Sequence, residues 1–182
     1  RDTDRSRGLG DVYKRQLVTF IISQRKSIPA IRTAVEQLAR CCGEPLCAEG
    51  DEVFLFPTPE QLCGLTEAQL TGCGLGYRTR YIQHAAAQAA ARTLDLNALA
   101  VLPDDALFSR LLTLDGVGKK VANCVCLFGY GRTAMAPIDV WIQRLIDEEF
   151  GGCDPFPAYG QQAGIVQQYL FYYKRSTSTQ KK

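Results

Sequence analysis

A glycine-rich turn at residues 116–118 constrains the fold of this chain more than any other feature. The turn reads GVG and lies between two segments with helical periodicity, residues 104–113 and 119–129. Glycine lets a backbone turn sharply and approach another molecule closely. The pattern predicts two helices joined as a helix-hairpin-helix, although a plain helical corner without a binding role has the same signature.

Capping residues and prolines divide the rest of the chain into further helices. Ser27 can cap a helix over residues 28–42, in which Pro29 suits the first turn and which ends at Gly43. Other predicted helices start at residues 17, 58 and 66 or cover residues 77–93, 137–150 and 160–174. Residues 43–57 are expected to be a loop, and no segment alternates as a strand does. We therefore predict an all-α fold of roughly eight to nine helices with short connections.

The chain has 182 residues, enough for one compact domain. Residues 1–16 are charged and show no helical period, so we predict a disordered or foreign segment there. Residues 17–174 then form the domain, and residues 175–182 form a polar, basic tail. The formal net charge is +2, so any basic binding surface must be local.

Cysteine usage and hydropathy exclude several classes of protein. Eight cysteines are present without Cys-x-x-Cys spacing, and the only histidine is His84, so we expect buried reduced thiols and no zinc site. There is no apolar run of about 18 residues, which predicts no membrane span. No signal peptide is visible, and we expect an intracellular protein rather than a secreted one.

Two lysines follow the turn, and an acid follows further along the chain. Lys119 and Lys120 stand at the predicted start of a helix, and Asp139 closes the phrase Pro-Ile-Asp. The helix dipole and the adjacent Lys119 charge both favour the neutral form of the Lys120 amine. A neutral amine can form a Schiff base with a carbon of aldehyde character. Alternatively, the lysine contacts solvent or phosphate, and Asp139 is only a helix cap.

GVGKKVANCV at residues 116–125, followed by PIDVW at residues 137–141, resembles the helix-hairpin-helix Gly/Pro-Asp superfamily of base-excision DNA glycosylases. The resemblance implies that Lys120 attacks the sugar C1′. It implies that Asp139 stabilises the oxocarbenium-like sugar and helps to deprotonate the lysine. Monofunctional members lack this lysine, so a bifunctional enzyme is implied, which removes the base and then cleaves the strand by β-elimination.

Two loops resemble the 8-oxoguanine DNA glycosylase branch of that superfamily. In GLGYRTRYI, residues 74–82, the resemblance implies that Tyr77 wedges into the duplex and that Arg78 reaches the base left behind. A wedge compensates for the stacking lost when a base flips out. In FIISQRKSIPAIR, residues 20–32, it implies that Arg25 fills the gap in the duplex, while Ala30 stands where the family has a second cytosine-reading arginine.

The segment AGIVQQYLFYY, residues 163–173, is similar to the last pocket helix of that branch. The resemblance implies that Gln167 bonds the Watson–Crick edge of the flipped base and that Phe171 stacks on its face. One helical turn separates them, so they share a helix face. Cys124 is one turn after Lys120, and the resemblance implies that it packs on the same base.

The hairpin itself is expected to hold a DNA phosphate. The outward amides of Gly116, Val117 and Gly118 and the side chain of Lys119 are the predicted contacts, which position a backbone without reading bases. The resemblance also implies a possible monovalent cation at the carbonyls of Leu112, Leu114 and Val117.

No redox cofactor or catalytic metal is expected. The iron–sulfur branches carry four cysteines after the aspartate helix, where this chain has only Cys153. The resemblance covers residues 17–174 without the β-rich N-terminal domain of the family, which predicts a truncated chain. The predicted partner is double-stranded DNA containing a damaged base, bound by a monomer away from membranes.

Two alternatives remain at this stage. A glycosylase for another oxidised base keeps the reaction, although the helix carrying Gln167 and Phe171 argues against it. A non-catalytic DNA-binding module would use the hairpin only to grip phosphate. Lys120 and Asp139 together disfavour such a module, because gripping phosphate requires neither an acid nor a reactive amine.

Overall fold

Helices dominate the part of the chain that the structure, a computed structural model, describes: residues 3–48 and 51–179. The helices are α1 (Thr3–Ile22), α2 (Ile28–Cys42), α3 (Pro59–Cys63), α4 (Glu67–Gly72), α5 (Thr79–Ala90), α6 (Asp104–Leu112), α7 (Lys119–Cys124), α8 (Val140–Glu149) and α9 (Ala163–Thr179). The all-α prediction is confirmed apart from one small sheet. Within these residues no helix is both long and apolar enough to cross a membrane.

Local capping chemistry sets the starts of the early helices. The Ser27 hydroxyl accepts from the amide of Ala30 at 3.4 Å, at the start of α2. Thr58 and Thr66 each form a capping box at the start of α3 and α4. In a capping box the hydroxyl and a glutamine side chain satisfy two amides that the helix cannot. The predicted starts of these three helices are confirmed.

The structure corrects the prediction of disorder for residues 3–16, while residues 1 and 2 lie outside the described residues. Helix α1 begins at Thr3 and runs without a break to Ile22. The ring of Tyr13 stacks on that of Tyr130 with centroids 4.2 Å apart, and Tyr13 is buried. This contact joins residues far apart in sequence, so the charged local pattern gave no sign of it. The domain boundary near Leu17 stays a prediction.

The loop predicted over residues 43–57 contains a two-stranded antiparallel sheet, which is a second correction. Strand β1 (Pro45–Ala48) pairs with β2 (Asp51–Phe54), with Leu46 opposite Val53. The guanidinium of Arg40 on α2 lies 5.3 Å from the centre of the Phe54 ring. Strands of four residues are too short for an alternating pattern to be distinguished from a loop.

The core surrounds α1, which packs against α2, α5 and α7. Its fully buried side chains include Leu17, Ile21 and Ile22. A smaller apolar cluster joins α8 to α9 through Ile142, Ile146, Phe156 and Ala163. Helix α7 follows the glycine turn, and α8 follows the Pro-x-Asp phrase. The residues at both helix starts are thereby held on a packed scaffold.

Helix α7 continues into a π-helical turn over Val125–Gly129, which matches the predicted helical segment 119–129. Helix α9 lies directly against this extension. A Cβ at Gly164 would lie 2.4 Å from the Met135 carbonyl oxygen and 2.8 Å from Leu127 Cδ1. Only glycine permits such an approach. The close packing ties the helix of Gln167 to the helix of Lys120. Helix α9 also runs through the predicted tail as far as Thr179, and residues 180–182 lie outside the described residues.

Candidate active site

The glycine turn joins α6 to α7 as a helix-hairpin-helix. Gly116 has φ +77°, in the left-handed region, and Val117 is buried beneath the turn. Gly118 is the N-cap of α7, with an extended backbone and no side chain to cap the helix. The first amides of a helix have no partner within it. The start of α7 is therefore open to an outside acceptor, and the exposed Lys119 stands beside it.

The turn lies against an aromatic ring. A Cβ at Gly116 would lie 2.4 Å from the Tyr81 ring, so glycine is required by contact as well as by φ. The carbonyl of Gly116 accepts from Gln24 Nε2 at 2.9 Å. The hairpin is therefore held from α5 and from the end of α1.

Lys120 and Cys124 lie together on α7. The Cys124 side chain is buried, and burial raises the pKa of its thiol to about 11. The adjacent Lys120 amine lowers this pKa, and the Asp139 carboxylate raises it. Lys120 and Cys124 lie one helical turn apart on α7, and the charge of Asp139 also acts on the Cys124 thiol. The thiol stays protonated at neutral pH and can pack as a small apolar group.

Asp139 is the N-cap of α8. Its Oδ1 accepts from the amides of Trp141 and Ile142, both at 3.0 Å. Both bonds use one oxygen, and Oδ2 takes no part in the cap. The capping interpretation is confirmed.

Aromatic side chains line the other side of Lys120. Its Nζ lies 5.8 Å from the centre of the Phe20 ring, and Phe20 stacks on Phe128 at 5.5 Å. Phe20 belongs to α1 and Phe128 to the π-helical turn. The sequence pattern marked Phe20 only as an apolar helix residue, and its position beside the amine depends on tertiary packing.

Tyr77 and Arg78 lie in a 3₁₀ turn before α5. The Tyr77 side chain is half exposed, and its ring meets that of Tyr81 edge-on at 6.1 Å. Arg78 is buried instead, with its guanidinium 4.4 Å from the centre of the Tyr77 ring. It donates to the carbonyls of Leu75 and Gln24. The wedge role of Tyr77 stays a prediction, and Arg78 must leave these contacts to reach a base.

Arg25 occupies the turn between α1 and α2. Its side chain is exposed, and its φ of +51° lies in the left-handed region. That conformation costs an L-residue about 1–2 kcal/mol. Strained residues concentrate where a side chain must be aimed. Arg25 is thus presented to solvent, and its gap-filling role stays a prediction.

Gln167 and Phe171 lie on α9, and the packing of Gly164 ties this helix to the α7 extension. Gln167 is buried and its Oε1 accepts from Gln168 Nε2. Phe171 packs against the cluster of Ile142 and its neighbours, and the Arg175 guanidinium lies 5.7 Å from its ring centre. Their roles on a flipped base stay predictions.

The carbonyls predicted to hold a cation belong to the hairpin. The Leu114 carbonyl accepts from the amide of Val117 at 3.0 Å, which closes the turn. Among the described residues no group of three or more His, Cys, Asp or Glu side chains is arranged to hold a metal ion. The monovalent site at Leu112, Leu114 and Val117 stays a prediction.

The family model described as "HhH-GPD superfamily base excision DNA repair protein" matches residues 18–161, most of the chain. The chain belongs to this superfamily. The glycine turn, Lys120 and Asp139 all lie within the matched range.

Relatives with a related name cover most of this chain. The probable N-glycosylase/DNA lyase of Methanothermobacter thermautotrophicus is 28% identical over 187 residues, 87% of this chain and 60% of its own length. The N-glycosylase/DNA lyase of Saccharomyces cerevisiae is 32% identical over 146 residues, 74% of this chain and 39% of its own. The chain therefore spans 60% of the first relative and less of the second.

Solved structures of superfamily members superpose closely. MBOgg1 in complex with a low-affinity DNA ligand gives a TM-score of 0.85 at 33% identity, over 91% of this chain and 61% of that one. The 8-oxoguanine glycosylase/lyase of Clostridium acetobutylicum, in complex with DNA containing cytosine opposite 8-oxoguanine, gives 0.84 at 27%, over 90% and 60%. This superfamily member thus shares its fold with proteins solved on DNA.

Sequence reasoning missed three residues that shape this superfamily site. Gln24 bonds the hairpin and the Arg78 loop, Tyr81 packs on Gly116, and His84 pairs with Asp115 just before the turn. The spacing of Tyr81 and His84 on a predicted helix could have placed both on one side of α5. No local signal marks Gln24, because its partners lie 92 and 54 positions away.

Proposed function

We propose that this chain carries the catalytic core of a bifunctional DNA glycosylase that removes 8-oxoguanine from duplex DNA and then cleaves the strand. The proposal is supported by the position of Lys120 and Cys124 one turn apart on α7, directly after the uncapped helix start at Gly118. The Asp139 carboxylate, which raises the pKa of the Cys124 thiol, supports it too. The names of the relatives above support the same chemistry.

The reaction uses Lys120 as nucleophile and Asp139 as an electrostatic partner. The amine nitrogen forms a bond to C1′ as the bond from C1′ to the base breaks, and the base leaves with that electron pair and takes up a proton. The amine nitrogen then passes one proton to the ring oxygen O4′ as the C1′–O4′ bond breaks, which leaves a protonated imine between Lys120 and C1′. Asp139 Oδ2 stabilises the positive charge that develops on the sugar.

Strand cleavage follows from the imine. A proton leaves C2′, and the electrons expel the 3′-phosphate, so that the strand is cut 3′ to the lesion. The buried thiol of Cys124, with its raised pKa, remains neutral and packs on the flipped base without competing as a nucleophile.

Duplex DNA is bound by separate parts of the surface. The uncapped start of α7 and Lys119 hold a phosphate of the damaged strand. Tyr77 and Arg25, both exposed, enter the duplex where the base has left. Gln167 and Phe171 contact the flipped base from α9. Such an enzyme acts where the cell keeps its DNA, and we expect it inside the cell as a monomer.

Borohydride trapping on a duplex with one 8-oxoguanine opposite cytosine tests this proposal, because borohydride reduces an imine to a stable covalent adduct. The wild-type chain should form an adduct that Lys120→Gln does not form. An adduct only on a duplex with a preformed abasic site would assign the pocket to another damaged base. DNA binding with no adduct on either duplex would overturn the enzymatic function and favour a non-catalytic binding module.

A further inference from the structure

One residue joins the three segments that the proposed function assigns to the DNA. These segments are the turn at residues 23–26, the hairpin turn at residues 116–118 and the loop at residues 74–78. The side chain of Gln24 donates from Nε2 to the Gly116 carbonyl at 2.9 Å. The backbone carbonyl of Gln24 accepts from the guanidinium of Arg78. Gln24 also immediately precedes Arg25 in the chain.

Aromatic contacts close a ring through the same segments. The Tyr81 ring packs on Gly116 and meets the Tyr77 ring edge-on, 6.1 Å away. The guanidinium of Arg78 lies 4.4 Å from the centre of the Tyr77 ring and donates to the backbone carbonyl of Gln24. A shift of the hairpin is therefore transmitted to the wedge by two routes, one through Tyr81 and one through Gln24.

The bond from Gln24 also sets the plane of the hairpin peptide. The Gly116 carbonyl accepts from Gln24, while the amide of the next residue, Val117, donates to the Leu114 carbonyl at 3.0 Å. Both ends of one peptide group are thus held. The amides at the start of α7, which face the phosphate in the proposed function, follow directly after this peptide.

We propose that Gln24 is a positioning residue that couples the hairpin's grip on the DNA backbone to the placement of Tyr77 and Arg25 in the duplex. This inference rests on the proposed function. Gln24 acts on extrusion of the damaged base rather than on the chemistry at Lys120, because its side chain bonds the hairpin turn. Loss of the Gln24 side chain therefore slows excision of a base, which must be flipped out, more than cleavage at an abasic site, where no base is extruded.

The test compares two reactions of the same protein. Single-turnover rates are measured for excision of 8-oxoguanine opposite cytosine and for β-elimination at a preformed abasic site in the same duplex. Borohydride trapping on the abasic duplex gives the fraction of active protein, and both rates are divided by that fraction. Partial misfolding of a variant then does not change its rates. A fluorescent 2-aminopurine next to the lesion reports extrusion directly, because its emission rises when it unstacks.

The variants are Gln24→Glu, which keeps the shape and removes the donor, and Gln24→Ala, which removes the amide without adding charge. Both keep the backbone carbonyl that Arg78 uses. The matched control is Gln61→Glu in the capping box of α3, where an oxygen already accepts from Thr58 and the same charge is added without losing a bond.

Both Gln24 variants should lower the excision rate by about tenfold, the loss expected from one hydrogen bond with a net free energy near the top of the usual range. Both variants should slow the rise of 2-aminopurine emission and change the rate of abasic-site cleavage by less than about twofold. The control Gln61→Glu should change the rates of both reactions by less than about twofold. An unchanged ratio of the two rates in both variants would overturn the coupling role. A wild-type chain inactive on both duplexes would instead overturn the proposed function, and that result appears before any variant is compared.

Discussion

The first turns of α7 and α8 satisfy their backbone amides in opposite ways. Helix α7 follows Gly118, which has no capping side chain, and two lysines come next. Helix α8 follows Asp139, whose Oδ1 accepts from two amides at 3.0 Å. One start is open and positively charged, and the other is closed by its own carboxylate.

The difference indicates that α7 is adapted to a partner outside the chain. A glycine N-cap forgoes a few tenths of a kcal/mol of stability relative to serine, and placing lysines there opposes the helix dipole. The cost is offset when a phosphate supplies the missing acceptor. At α8 the cap is a carboxylate, which raises the pKa of the Cys124 thiol on α7 while the Lys120 charge lowers it. In the proposed function the two starts serve one site.

The largest expected effect separates the two lysines of the open start. Lys120→Gln should reduce single-turnover excision by about 10³-fold or more, because it removes the nucleophile. Lys119→Gln should weaken DNA binding and reduce the slope of log affinity against log salt by the contribution of about one phosphate contact. The excision rate at saturating protein should stay unchanged. Equal loss of excision in the two variants would show that the lysines act only through charge.

Asp139 caps α8, and in the proposed function its negative charge also stabilises the positive charge that develops on the sugar. Asn is as good an N-cap as Asp, so Asp139→Asn should keep the melting temperature while lowering excision by about 10²-fold. Asp139→Ala should lose the same activity and also about 1 kcal/mol of stability, measured by denaturant unfolding. An Asn variant with full activity would reduce Asp139 to a cap and remove the carboxylate from the mechanism.

The open start depends on the close approach of Gly116 to Tyr81. Gly116→Ala should destabilise the protein by about 2 kcal/mol or more and weaken DNA binding, because it combines a positive φ with a Cβ inside the ring contact. Gly131→Ala is the matched control, since Gly131 also has positive φ but nothing lies within 4 Å of its Cβ. It should cost only about 1 kcal/mol. Similar losses in stability for both would mean that the Tyr81 contact contributes nothing.

A side-chain cap can be added to the open start. Gly118 has an extended backbone, and no atom lies within 4 Å of a Cβ there, so Gly118→Ser is sterically allowed. The serine should stabilise the protein by a few tenths of a kcal/mol and weaken DNA binding about two- to five-fold, because its hydroxyl competes with phosphate for the same amides. Tighter binding together with higher stability would contradict the view that these amides serve the DNA.

Local chemistry accounts for what the sequence predicted well. Caps at Ser27, Thr58 and Thr66 act within a few residues, so they mark helix starts without knowledge of the fold. Asp139 was placed correctly as a cap for the same reason. The GVG turn was recognisable because its glycines meet a need that other residues cannot.

Long-range contacts account for what the sequence missed. Helix α1 extends to Thr3, and its buried Tyr13 stacks on Tyr130. Arg78 was expected to face DNA, yet it is buried under Tyr77 and bonded to Gln24. The Tyr13–Tyr130 and Arg78–Gln24 contacts each join segments that a pattern of neighbouring residues cannot relate.

The most direct test of the account is the position of the covalent bond. The adduct trapped with borohydride on the 8-oxoguanine duplex is digested and its peptides are mapped by mass spectrometry. We predict that the reduced sugar remnant is attached to Lys120, in the first turn of α7. Attachment to Lys119 or to any other amine would contradict the division of roles between the open and the closed helix starts.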